Sequence, residues 1–203
     1  MGRDGFDAFK VQLLLEQAWE LLESGQDAAL LAHLRRGRER FPDRPEVTLW
    51  LAHRLLQTDH DEAVALITEV VDAHPEDPTW LIQAAGLMVN ADETELARPW
   101  VALAKRTSTD PDQWPTLELL EGCVLADDGE HGRAEAALRR SFAADPTLDY
   151  GFTLARFLVE RGDARASLAV ADEGLALDPA ARDRGPLQEL RDYLAGVVDG
   201  DEG

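Results

Sequence analysis

Proline returns along this chain at a nearly constant step, each time at the end of an amphipathic run. The segments are Phe41-Pro42-Asp43, His74-Pro75-Glu76, Asp110-Pro111-Asp112, Asp145-Pro146-Thr147 and Asp178-Pro179-Ala180, with the prolines 33, 36, 35 and 33 residues apart. Proline lacks an amide hydrogen and cannot continue a helix, so each one closes a segment and opens the next. A period of this length marks a stacked helical array. Each segment breaks again near its middle, at Ser24-Gly25-Gln26-Asp27, Thr58-Asp59-His60-Asp61, Asn90-Ala91-Asp92, Asp127-Asp128-Gly129-Glu130 and Arg161-Gly162-Asp163. Breaks this short force the flanking helices to run antiparallel.

Local chemistry agrees with helices. Asp59 precedes Glu62, and Asp92 precedes Glu95, at the spacing of a capping box, in which an Asp oxygen accepts the free amide hydrogens of the next helix. Leu154 and Leu158, then Leu168, Ala171 and Leu175, recur at three- or four-residue intervals. Small residues such as Ala155 and Gly174 stand where helices must approach closely. Nothing alternates with period two over a useful length, so strands have no support.

These residues resemble the tetratricopeptide repeat family. Its pattern places a large apolar residue, Leu, a small residue and an aromatic on helix A, then small, aromatic and small residues and a closing Pro on helix B. The clearest match is 148–179, with Leu154-Ala155, Leu158, the Gly162-Asp163 turn, Ser167 and Gly174 at the small positions, and Asp178-Pro179. The second repeat offers Leu51-Ala52, Leu55, Ala63, Ile67 and Pro75; the fourth offers Leu120, Val124, Ala134, Leu138, Ser141 and Pro146. The chain departs from the pattern at Leu30, where a small residue is usual, and at Pro99, inside a helix B that it must kink unless confined near the first turn. Aliphatic residues replace the aromatic of helix A throughout. The resemblance implies an all-α fold, a right-handed α-solenoid of about five antiparallel helix pairs plus a C-terminal capping helix. One domain spans 6–198, with repeats at 6–42, 43–75, 76–111, 112–146 and 147–179, a capping helix at about 183–198, and flexible termini at 1–5 and 199–203.

Composition narrows the function classes. The formal net charge of -20 repels nucleic acid and anionic membranes, both of which need basic contacts. It suits a basic partner, or keeps the protein soluble. No apolar run approaches the roughly 20 residues that cross a bilayer. Residues 1–10 lack the basic start and apolar stretch of a signal peptide, and Phe6 stands where a myristoylation signal carries Ser or Thr, so the expected location is cytoplasmic. Arginine outnumbers lysine and alanine is abundant, a composition associated with GC-rich bacterial genomes. The single cysteine, Cys123, excludes an internal disulfide and a multi-cysteine metal site. Its apolar surroundings predict a buried core residue.

No catalytic constellation stands out. A Gly-rich phosphate loop, a Gly-x-Ser-x-Gly elbow and a His-Glu-x-x-His motif are all missing. His60 lies among Asp59, Asp61 and Glu62, but consecutive cap residues point in different directions, and acidic residues favour a first turn for dipole reasons. Neither a metal nor a cofactor is expected.

The resemblance implies instead a concave groove lined by the A helices, in which a segment of a partner protein lies. Its groove-facing positions fall on Trp19, His53, Glu118, Phe152 and Arg156. Family members that clamp a C-terminal carboxylate with Lys, Arg and Asn are a poor match, because Lys10 and Lys105 are the only lysines. A basic cluster, Arg35, Arg36, Arg38, Arg40 and Arg44, reads either as a solvated helix end or as a docking patch for an acidic partner or for the acidic surface of another copy. Trp50, Trp80 and Trp114 stand near the starts of successive A helices, where packing between repeats explains them most simply and exposure in the groove as ligand anchors is the alternative. The expected function is a non-catalytic protein-protein interaction scaffold or adaptor. A self-associating module, its groove filled by another copy, and a small enzyme with an unrecognised site are the alternatives.

Overall fold

The computed structural model describes residues 3–177 and 184–200. These form eleven α-helices and one 3-10 turn, and no strand occurs among them. The order is α1 (Arg3–Glu23), α2 (Asp27–Arg40), α3 (Pro45–Leu55), α4 (His60–Ala73), α5 (Pro78–Asn90) and α6 (Thr94–Thr107). The 3-10 turn Pro111–Gln113 then leads into α7 (Trp114–Asp127), α8 (His131–Ala144), α9 (Leu148–Glu160), α10 (Ala164–Leu177) and α11 (Gly185–Gly200). The helix-turn-helix repeat expected from the sequence is therefore present. The expected end helix is α11, and the Asp178-Pro179 closure lies outside the described residues. Of the termini expected to be flexible, residues 3–5 belong to α1 and 199–200 to α11.

The chain groups into two compact units, Met1–Leu87 and Met88–Gly203, divided within α5, where the sequence suggests one continuous domain over 6–198.

Proline marks both edges of the joints between repeats. Pro42 and Pro75 follow the last residues of α2 and α4, while Pro45 and Pro78 open α3 and α5. A proline at the first helical position loses nothing, because that amide has no partner inside the helix. The turns within repeats share a second device. Gly25, Gly129 and Gly162 adopt positive φ of 68°, 74° and 79°. At each, the glycine amide donates three residues back and the next amide donates five residues back, as in Glu130 N to Leu125 O at 2.9 Å. This arrangement satisfies carbonyls that the helix end leaves open.

Asp92 occupies the same place with φ 60°, and Glu93 becomes the residue that caps α6. The capping box expected from Asp92 to Glu95 is thus absent, since Asp92 has become the left-handed residue of the turn. At Asp59 the expected cap forms, its carboxylate accepting the Glu62 amide at 3.2 Å. Pro99 lies inside α6 on its exposed side, and the helix continues through it to Thr107.

Each pair is sealed by small residues and aliphatic side chains. In the N-terminal unit Leu30, Leu34, Val47, Leu51, Leu55 and Ile67 are buried. Leu30, which departs from the family pattern, has no exposed surface. In the C-terminal unit the core runs from Leu138 and Phe142 through Leu154 and Leu158 to Leu175 and Leu187. Each such side chain contributes roughly 1.5–3 kcal/mol over its exposed state. Gly122 brings α7 onto α8 so closely that a Cβ there would stand 2.7 Å from Leu138 Cδ2. Two buried hydroxyls tie B helices to A helices. Ser141 Oγ donates to Pro115 O and Ser167 Oγ to Ala155 O, each at 2.7 Å.

Candidate protein-binding clefts

The turn glycines set a common register on the A helices. Trp19, Cys123 and Arg156 each stand six residues before the left-handed glycine of their own turn. That position looks into a cleft in both units.

In the C-terminal unit the cleft has a volume of about 380 Å³. Cys123, Ala126 and Asp127 of α7 form one wall, and Thr153, Arg156 and Glu160 of α9 the other. His131 and Phe157 are also among its lining residues. The lining carries both charges. Asp127 accepts a hydrogen bond from the Thr94 hydroxyl, and Arg156 Nε lies 3.8 Å from Glu160. The His131 ring tilts against Phe157 with centroids 6.4 Å apart, and its Nδ1 is buried without a hydrogen-bond partner. Burial pushes the Cys123 thiol up to about 11, although Arg156 pulls the other way. The thiol therefore stays protonated at neutral pH and serves as an apolar surface.

In the N-terminal unit α1 and α3 bound a cleft of about 430 Å³. Val11, Leu15 and Trp19 supply apolar surface, while Glu16 and Glu46 supply carboxylates. Trp19 is 52% exposed and rests on Trp50, with ring centroids 6.2 Å apart at 41°.

The residues expected to face a groove separate into two groups. Trp19 and Arg156 line clefts, and His53 is exposed on α3. Crowding around the His53 imidazole, reinforced by the Arg54 charge, lowers its pKa. Glu118 and Phe152 do other work. Glu118 accepts from Arg140 Nη2 at 2.6 Å and from Lys105 Nζ at 3.4 Å, and Lys105 also pairs with Glu121. Phe152 is half-buried and packs against the core. Cys123, which the sequence assigns to the core alone, packs against the core and also takes the fourth repeat's place in the cleft lining. Counting back from the turn glycine would have found it.

The arginine cluster is largely occupied by neighbours. Arg35 reaches Glu62 of α4 at 2.7 Å, and Arg38 grips both oxygens of Glu69 at 2.9 and 2.7 Å. Arg40 stands over the Phe41 ring at 5.2 Å. Arg36 is exposed, and Arg44 immediately precedes α3. Among the described residues no group of three His, Cys, Asp or Glu side chains is placed to hold a metal ion. No described helix is long and apolar enough to cross a membrane.

No protein-family model matches the chain. Cellulose synthase operon protein C of Salmonella typhimurium is 31% identical over 179 residues, a stretch that takes in 81% of this chain. The chain spans 14% of that relative's length. Among solved structures, TTC0263, a thermophilic TPR protein of Thermus thermophilus, matches with a TM-score of 0.72 at 23% identity, covering 93% of this chain and 98% of that one. PilW, a widely conserved type IV pilus biogenesis factor, matches with a TM-score of 0.72 at 17% identity, covering 93% of this chain and 86% of its own. Helix pairs, turn chemistry and these likenesses together give the chain the fold of the tetratricopeptide repeat proteins, in a divergent form.

Proposed function

We propose that this chain is a non-catalytic scaffold that holds a segment of another protein against its A helices. The observation that carries the reading is the shared register of Trp19, Cys123 and Arg156. The same position in three repeats contributes to the lining of a cleft, Trp19 and Arg156 with exposed side chains and Cys123 as part of the floor against the core. Preformed clefts on rigid helices need little ordering when a partner binds, so more of the contact energy appears as affinity. The clefts combine apolar surface with a few charges, a composition suited to side chains of a peptide segment.

The test is a pull-down from lysate of the source cell at low and raised salt, with bound proteins identified by mass spectrometry. A partner retained at both salts supports apolar contacts in the clefts. Retention at low salt alone assigns the binding to the acidic surface. Recovery of no partner, together with a stable oligomer in light scattering, replaces the scaffold reading with self-association.

A further inference from the structure

We propose that the α1–α3 cleft of the N-terminal unit docks a protein segment bearing a bulky apolar side chain flanked by lysine or arginine. This inference rests on the scaffold reading and adds the chemistry of the partner.

The apolar half of the argument is Trp19. A tryptophan left half-exposed on a helix, braced by Trp50 and adjoining Val11 and Leu15, is a rigid contact surface with little side-chain entropy to lose. Aromatic residues of this kind dominate binding energy where they meet a complementary group. The cleft volume of about 430 Å³ falls within the range of sites that hold side chains or small ligands.

The charge half is the rim. Glu16 and Glu46 are the charged residues of the lining, and no cation accompanies them among the described residues there. Glu16 accepts a hydrogen bond from the neutral Gln12 amide at 3.1 Å. Among the described side chains of the same two helices, Lys10 pairs with Asp7 and Arg54 with Asp27, each at 3.3 Å. The Arg156 cleft of the other unit differs at the equivalent position, where a guanidinium replaces the indole. An apolar floor beside two carboxylates, with no cation among the described lining residues, therefore favours a basic segment and repels an acidic one.

The experiment uses the full chain and two labelled synthetic peptides with identical Leu and Phe positions. One carries Lys at every polar position, the other Glu. Fluorescence anisotropy at low and raised salt should show binding of the Lys peptide and none of the Glu peptide. Trp19→Ala should weaken the Lys peptide about tenfold or more. Because Trp19 also braces Trp50, a second variant guards against misfolding. Glu16→Lys with Glu46→Lys should shift preference toward the Glu peptide while the circular dichroism spectrum is unchanged.

Equal binding of the two peptides, binding of neither, or indifference to both variants would overturn the proposal. So would a wild-type dimer in light scattering that Trp19→Ala dissolves, since a second copy would then fill the cleft. A pull-down in which Trp19→Ala retains every partner would sink this docking site and leave the scaffold reading standing.

Discussion

Three glycines and one cysteine show how single residues act in this array. Gly129 adopts φ 74°, and a Cβ added there would meet nothing within 4 Å. Gly129→Ala therefore isolates backbone strain, and it should cost about 1 kcal/mol. Gly122 has ordinary dihedrals but faces Leu138 Cγ and Cδ2 at 2.7 Å and Ala134 O at 3.3 Å. Gly122→Ala must displace the buried Leu138 side chain between α7 and α8, at a cost of about 1–3 kcal/mol. Urea titrations of both variants should rank them in that order, and the reverse order would contradict the close approach. Gly25 would behave like Gly129, since it too combines positive φ with open space.

Cys123 makes a kinetic prediction. With its pKa pushed up to about 11, the folded thiol at pH 8 should react with a disulfide reagent about two orders of magnitude more slowly than an ordinary thiol of pKa about 8.5. Denaturant should restore the ordinary rate. The linkage sign follows from the neutral form being favoured in the fold. Stability from this group is whole below the unfolded pKa and is lost as pH rises through it toward about 11. Fast labelling at pH 8 in the native state would contradict the burial.

At the scale of one helix, α6 carries the clearest defect. Pro99 deprives the helix of one amide donor, yet the helix continues through Thr107 with Pro99 exposed. An interior proline costs about 3 kcal/mol relative to alanine, offset in part by about 0.4–1 kcal/mol because it stiffens the unfolded chain. Pro99→Ala should therefore stabilise the protein by about 2–2.6 kcal/mol, read as a higher urea midpoint. A neutral or lower midpoint would mean that neighbouring groups already satisfy the freed carbonyl. The joints between helices behave differently. Arg35 and Arg38 bind Glu62 and Glu69, but these pairs are well exposed to water. Each contributes about 0–1 kcal/mol, so they orient α2 against α4 more than they stabilise it.

At the scale of the whole molecule, charge dominates the response to solvent. A net charge of -20 on 203 residues repels itself, and salt weakens that repulsion more than it weakens the exposed ion pairs, each of which contributes only about 0–1 kcal/mol. Raising sodium chloride from low to moderate concentration should raise thermal stability by about 1 kcal/mol or more, measured by circular dichroism. A fall in stability would place the ion pairs above the repulsion. Local charge, and not the net charge, is why the two clefts are expected to differ in ligand. One carries Arg156 within its wall, and the other carries carboxylates alone.

Much of this protein is legible in its sequence. A proline without an amide hydrogen and a glycine free to adopt positive φ act within one turn, so they mark helix ends by local chemistry alone. Their spacing predicted the repeated helix pairs, and the small residues between them predicted close packing. Asp92 shows where that legibility ends. Its spacing to Glu95 reads as a cap, while the turn geometry makes it the left-handed residue. The site was less legible still. Glu118 faces its partners because Lys105 and Arg140 lie on adjacent helices, and Arg38 meets Glu69 from 31 residues away. Helical periodicity says which residues share a stripe, but packing alone decides which stripe is covered. Trp19 and Arg156 were legible from the repeat register, whereas only tertiary structure decided that Glu118 is paired with Lys105 and Arg140 and that Phe152 is half-buried against the core. Partners such as Lys105, Arg140 and Glu69 come from neighbouring helices, and a local pattern holds no information about their distance or charge.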